Sequence, residues 1–130
     1  EDLGVPVLHS YSRGDTAYLT TTKRQGATFA GYRSAVGSDA VHLMRGETIP
    51  LDDDMAVTCV ASGGVVLGEE SPEPAGTEND ASIALLVQYG GFRYFIGGDI
   101  QETTEGKLAE RDVVTDVDVY QADHHGSDTS

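Results

Sequence analysis

The stretch Ile83-Ala84-Leu85-Leu86-Val87-Gln88-Tyr89, Gly90-Gly91, Phe92-Arg93-Tyr94-Phe95-Ile96, Gly97-Gly98-Asp99 constrains this chain more than any other. The apolar run before the Gly-Gly pair is too short for a helix. β-branched and aromatic residues resume after the pair, so the segment reads as a hairpin of two buried strands. The second strand closes in Gly97-Gly98-Asp99, which sets one carboxylate at a strand mouth with no side chains crowding it. Loops held by a rigid sheet are where catalytic and metal-binding groups are placed. Taken singly, a Gly-Asp after a strand reads as a turn. A second polar loop adds weight: Ala122-Asp123-His124-His125-Gly126-Ser127 again follows an apolar strand.

The chain of 130 residues is one domain or part of one, long enough for a real core. Its 22 acidic and 8 basic residues leave a formal net charge of -14. Phosphate-backbone binding is largely a matter of Lys and Arg, so strong non-specific DNA binding is not expected. Cys59 is the single cysteine, which excludes an intrachain disulfide and a Cys-based zinc cage; in Ala56–Ala61 it reads as a buried thiol. No apolar stretch approaches the roughly 20 residues that span a bilayer. The abrupt start at Glu1 and stop at Ser130 lead to the expectation of a fragment.

Taken in order, Val5–Tyr11 reads as a strand, Ser12–Asp15 as a turn, and Thr16–Gln25 as a helix with Tyr18, Leu19 and Thr22 on one side. Gly26–Gly37 is ambiguous, with a short strand as one option at Ala27–Ala30. Val41–Met44, Arg45-Gly46-Glu47 and Thr48–Leu51 read as strand, tight turn, strand. Asp52-Asp53-Asp54 is a charged turn, since its side chains diverge and no spaced Gly and Glu complete a calcium loop. Met55–Ala61 and Val65–Leu67 are strands separated by Ser62-Gly63-Gly64, and the acid-rich Gly68–Asp80 is a solvated loop. Ile100–Arg111 is the best helix, with Ile100, Thr104 and Leu108 on one face. Acids sit in its first turns and Lys107 and Arg111 near its end, as the helix dipole favours. Val117–Ala122 is the last strand. The order predicts an α/β fold with a helix-covered sheet and both polar loops at strand ends.

Four motifs in this order carry a family resemblance: Glu78-Asn79-Asp80-Ala81-Ser82, Tyr89-Gly90-Gly91-Phe92-Arg93, Gly98-Asp99, and His124-His125-Gly126-Ser127 with Ser130. Together they resemble the metallo-β-lactamase-fold hydrolases. The nearest match is the soluble domain of ComEC-type DNA-uptake competence proteins and their free-standing relatives. The resemblance is strongest over Glu78–Ser130 and looser upstream, where Tyr11–Asp15 and Gly46–Leu51 fit the order of strands and turns.

The resemblance implies an αββα sandwich, present in residues 1–130 only in part, with N-terminal ligand-bearing strands and C-terminal strands missing. It implies two divalent ions, zinc or manganese, in the intact parent, with Asp99 as the bridging ligand. His124 and His125 would line the metal pocket, as ligands or as contacts to a phosphate or leaving oxygen. Gly126 would let the backbone approach, and Ser127 would donate a hydrogen bond. Asn79 and Ser82 would fix the loop. The family's H-x-H-x-D-H run is absent here, and His9 and His42 have no partner at ligand spacing. The expectation is therefore a segment of a phosphodiesterase- or nuclease-like hydrolase acting on a phosphoester or nucleic acid, inactive by itself. The alternative is a non-catalytic module that keeps the fold as a binding or assembly surface. A fragment of such a sandwich should expose apolar sheet surface and self-associate. The plain competing reading makes Asp99 a helix cap and the His-His pair chance. The metal reading requires Asp99 and the histidines to share one pocket, and falls if they lie on opposite sides of the molecule.

Overall fold

The computed structural model describes residues 8–14, 23–38, 40–73 and 75–128. The elements in chain order are β1 (Ser10–Ser12), α1 (Lys23–Val36), β2 (Ala40–His42), β3 (Thr48–Asp52), β4 (Met55–Ser62), β5 (Val65–Val66), β6 (Ala84–Tyr89), β7 (Phe92–Ile96), α2 (Glu102–Glu110) and β8 (Val119–Tyr120). A 3-10 turn over Asp123–Gly126 follows. The fold is mixed α/β. Six strands form one sheet in the order β3-β4-β6-β7-β8, with β5 paired to β4. All neighbours are antiparallel except β7 and β8, which run parallel because α2 carries the chain back between them. β1 and β2 form a separate parallel pair.

The central hairpin forms as its residues predict, with Tyr89 opposite Phe92 and Gly90 at φ 55 in the tight turn. One face of the sheet packs under α2. Val60, Val66, Ala84, Phe95, Ile100 and Leu108 form a fully buried cluster there, and Leu86, Val113, Val114 and Val117 close around it. Burying a side chain such as Phe95 or Ile100 contributes about 1.5–3 kcal/mol. Phe95 also stacks on Tyr120 with ring centroids 5.0 Å apart.

Helix α2 presents Ile100, Thr104 and Leu108 inward, as its spacing requires. Its cap is a different matter. Gln101 stands at the N-cap, but its side chain makes no capping hydrogen bond. The Asp80 carboxylate supplies the missing acceptor from the loop before β6: Oδ1 accepts the N–H groups of Gln101 at 3.1 Å and Thr104 at 3.4 Å. Thr104 Oγ1 donates back to the Asp80 carbonyl at 3.2 Å. Asp99 is not the cap.

The loop that contains Asp80 is not solvated throughout, which corrects the sequence expectation. Glu69 accepts from Val66 N at 3.0 Å and pairs with Lys107 Nζ at 3.2 Å, and Glu78 pairs with Arg13 at 2.5 Å. Burial works to raise the Glu69 carboxyl, but the Val66 N–H and the Lys107 ammonium outweigh it and hold it below its usual range. The charged partners, Lys107 and Arg13, lie far away in sequence, so a polar window showed only composition.

Other expectations shift as well. α1 covers Lys23–Val36, displacing both the helix read over Thr16–Gln25 and the strand option at Ala27–Ala30. Residues 5–7 and 15–22, on which parts of those readings fall, lie outside the described residues. α1 stops where Gly37, at φ 59, returns its N–H to the Arg33 carbonyl at 3.1 Å. β2 and β3 are strands as read, yet they do not pair with each other: β2 joins β1 and β3 joins β4. The turn between them is pinned to the large sheet by Gly46 N on the Cys59 carbonyl, 2.7 Å. Asp52–Asp54 is an exposed turn closed by Asp54 N on Asp52 Oδ1 at 3.4 Å, as expected of a charged turn. Cys59 is fully buried, and burial pushes its thiol up to about 11, so it is an inert core group. The last strand is shorter than Val117–Ala122, although Asp118 N and Gln121 N extend its ladder onto the Arg93 and Phe95 carbonyls.

Candidate functional site

Two strand ends build the site. β7 runs through Gly97 and Gly98 into Asp99. Gly98 sits at φ 68, and Asp99 N donates to Ser82 Oγ at 3.4 Å. Ser82 N in turn bonds the Asn79 carbonyl at 2.9 Å, so Asn79 and Ser82 fix this loop as their positions implied.

β8 delivers the second end. After Asp123 the backbone takes three left-handed residues in a row: His124 at φ 45, His125 at φ 59 and Gly126 at φ 74. For a side chain with a Cβ this conformation costs roughly 1–2 kcal/mol per residue. The surrounding bonds over-determine it. His124 N donates to the Gly98 carbonyl at 3.0 Å, and Ser127 N to the His124 carbonyl at 3.0 Å. His124 Nε2 lies 3.0 Å from Asn79 Nδ2.

The bent segment brings His125 Nε2 to 3.4 Å from Asp99 Oδ1. The two polar loops therefore approach each other through His125. The paired histidines part company, however. His125 faces Asp99 and is 87 % exposed, whereas His124 turns to Asn79. Ser127 Oγ lies 3.5 Å from Asp128 Oδ1. A cleft of about 540 Å³ opens beside Asp99, with Arg13, Tyr32, Glu78, Ser82 and Gly98 among its walls.

Sequence reasoning missed the support beneath the site. Asp123 is 2 % exposed and accepts from the Tyr120 hydroxyl, which also lies 3.2 Å from Glu105 Oε1. One hydroxyl proton cannot serve two carboxylates. Burial first, then the nearby Glu105 carboxylate, push Asp123 up to about 7, with the Tyr120 hydroxyl working against them. Asp123 rests on Gly97 so closely that no Cβ would fit there. The Gly97-Gly98 doublet was the available signal: the first glycine serves contact and the second serves φ.

The donor set suits a small divalent ion. Two ligands bound tetrahedrally to one zinc at about 2.0–2.2 Å stand about 3.4 Å apart, and Asp99 Oδ1 and His125 Nε2 have that separation. Carboxylate oxygen and imidazole nitrogen are both ligands of zinc and manganese. Among the described residues no group of three or more His, Cys, Asp or Glu side chains converges on one point. A search for similar proteins finds no matching family model, curated protein or solved structure.

Proposed function

We propose that this chain forms one metal-binding wall of a divalent-metal-dependent hydrolase of the metallo-β-lactamase fold, acting on a phosphoester. The observation that carries the reading is the 3.4 Å approach of His125 Nε2 to Asp99 Oδ1 across two strand ends. Backbone strain at His125, maintained by bonds on both sides, supports it, because strain of this kind collects at functional sites. The αββα sandwich belongs to the same reading, with this chain holding one sheet and the α2 layer.

Asp99 and His125 would hold the ion, and residues outside the described ones would complete its coordination. Were two ions bound, Asp99 would be a ligand that both could use. A bound zinc or manganese supplies a water acidic enough to ionise near neutral pH. The chain's own residues do the positioning. Ser82 fixes the Asp99 loop, while Gly98 and Asn79 fix His124 and with it the direction of His125. Arg13, steadied by Glu78, gives an otherwise acidic cleft a cation on the substrate side.

The test is metal uptake by the protein and by its Asp99→Asn and His125→Ala variants, followed by titration calorimetry and by the histidine ¹⁵N shifts. The expected result is zinc or manganese binding that shifts the His125 Nε2 resonance and is lost in both variants. Failure of the unmodified protein to bind either ion overturns the reading, as does an Asp99→Asn variant that binds as well as its parent. The second reading, a non-catalytic module, is favoured by the two-donor set among the described residues. It expects no hydrolysis of an activated phosphodiester by the metal-loaded protein.

A further inference from the structure

Helix α1 links two parallel strands, β1 and β2, whose register sets Ser10 opposite Ala40 and Ser12 opposite His42. The strands therefore end level with each other, and Arg13, Gly14 and His42 stand together at their carboxyl ends. Ligands of α/β folds collect at that end of parallel strands. A cavity of about 320 Å³ lies between α1 and the strand pair, at the small end of the range for small-molecule sites.

Its walls are unlike the rest of the chain. Arg13 follows β1, Arg33 comes from the last turn of α1, and His42 closes β2. Two of the chain's 8 Lys and Arg side chains thus share one cavity with one of its 4 histidines. Among the described residues no Asp or Glu lines it, although acids outnumber bases 22 to 8. Asp15 and Asp39, neighbours in sequence, lie outside the described residues. A further wall is aromatic: Phe29 and Tyr32 stack with ring centroids 6.2 Å apart, and the Tyr32 hydroxyl lies 3.5 Å from Ser10 Oγ on β1.

Packing positions the basic groups. A Cβ on Gly14 would stand 2.6 Å from the His42 ring, so glycine, here at φ 81, is what lets the imidazole lie against the backbone. Arg13 is oriented by Glu78 at 2.5 Å, a carboxylate that lines the neighbouring Asp99 cleft and not this cavity. The five N–H donors of a guanidinium can serve more than one acceptor.

We infer that this cavity binds a phosphate monoester carried on a flat ring. Basic groups from three elements around one space suit an anion with several oxygens. A phosphate monoester offers three to donors from different directions where a carboxylate offers two, and Arg forks meet phosphate oxygens in pairs. The Phe29–Tyr32 wall takes the ring, because any flat ring has a π-face to stack on an aromatic side chain. The cavity shares Ser12, Arg13, Phe29 and Tyr32 with the Asp99 cleft, so its occupant lies beside that cleft. Neither Asp99 nor His125 lines it. The inference needs no metal and rests on no part of the metal reading.

The test is titration of phenyl phosphate into the protein in EDTA, followed by calorimetry and by backbone amide shifts. Phenol lacks the phosphate, inorganic phosphate lacks the ring, and benzoate replaces the phosphate by a carboxylate. The expected result is that phenyl phosphate binds about tenfold more tightly than any of the three and shifts the Gly14 and Tyr32 amides. Arg33→Ala and His42→Ala should each weaken it about tenfold, and Arg111→Ala, on the far helix, should not. Arg33 and His42 are exposed, so their variants should fold, and circular dichroism checks that they do. Absence of saturable phenyl phosphate binding overturns the proposal. Equal affinity for any of the three comparison compounds overturns it too, as does binding unchanged in both folded variants. His125→Ala should bind phenyl phosphate like its parent, so failure here and failure of the metal reading are told apart.

Discussion

The carboxylate of Asp123 lies directly on the backbone of Gly97, with no room between them for a Cβ. Gly97 joins β7 to the Asp99 loop, and Asp123 opens the turn that carries His125. This one contact therefore sets how far the two strand ends stand apart. Gly97 does not need a left-handed backbone, so the demand for glycine is purely steric. Gly97→Ala should destabilise the protein by about 1–3 kcal/mol through overpacking. It should also weaken metal uptake by moving Asp99 from His125. Urea unfolding and zinc titration measure the two effects; an alanine variant as stable as its parent contradicts this account of the contact.

The same carboxylate makes stability depend on pH. Asp123 is pushed up to about 7 from an ordinary value of 3.8, by burial and then by Glu105. Between those values the folded protein holds a proton that the unfolded chain has released. Stability from this group is therefore present at low pH and declines as pH rises toward about 7, levelling off above it. The urea midpoint should fall between roughly pH 4 and pH 7. Asp123→Asn, which keeps the shape over Gly97 but cannot ionise, should remove most of that slope. An unchanged slope in the asparagine variant would point to other groups.

Asp80 caps α2 across the fold, from the loop before β6. Because α2 carries Ile100 and Leu108 into the core, the cap ties the acidic loop to the helix layer. Asp80→Ala should cost about 1–2 kcal/mol. It should also speed amide exchange at Gln101 and Thr104 more than at the β6–β7 hairpin. Uniform exchange across the two regions would show that the carboxylate is not the local tie described here.

His125 holds a left-handed backbone at φ 59 while its side chain is largely exposed. Glycine adopts that conformation freely. His125→Gly should therefore raise stability by about 0.5–1 kcal/mol while abolishing its share of metal binding, a gain and a loss from one substitution. A thermal melt paired with a zinc titration reads both. A variant less stable than its parent would mean that the imidazole contributes more to folding than its exposure implies.

The hairpin Ala84–Ile96, the strand–helix–strand unit after it and the placement of both polar loops at strand ends were all readable in advance. Each rests on local periodicity and on glycines at turns. The convergence of Asp99 with the histidines was an expectation, and the structure meets it through His125 alone. The division between His125 and His124 was not readable, because it depends on Asn79 and the Gly98 carbonyl reaching His124 from another part of the chain. The α1 boundaries were misread for a related reason: Lys23–Val36 contains Gly26 and Gly31 and little apolar periodicity.

By itself, then, the order of residues determined the main strands, the turns between them and the acidic character of the chain. These depend on φ preferences and side-chain alternation over a few neighbours. Tertiary structure alone decided which acids are solvated and which are bound. Glu69, Glu78, Asp80 and Asp123 differ from the exposed acids only in what folding brings against them: Lys107, Arg13, the first turn of α2, and Tyr120 over Gly97. A carboxylate has the same composition in either place, and only packing fixes the distance to its partner.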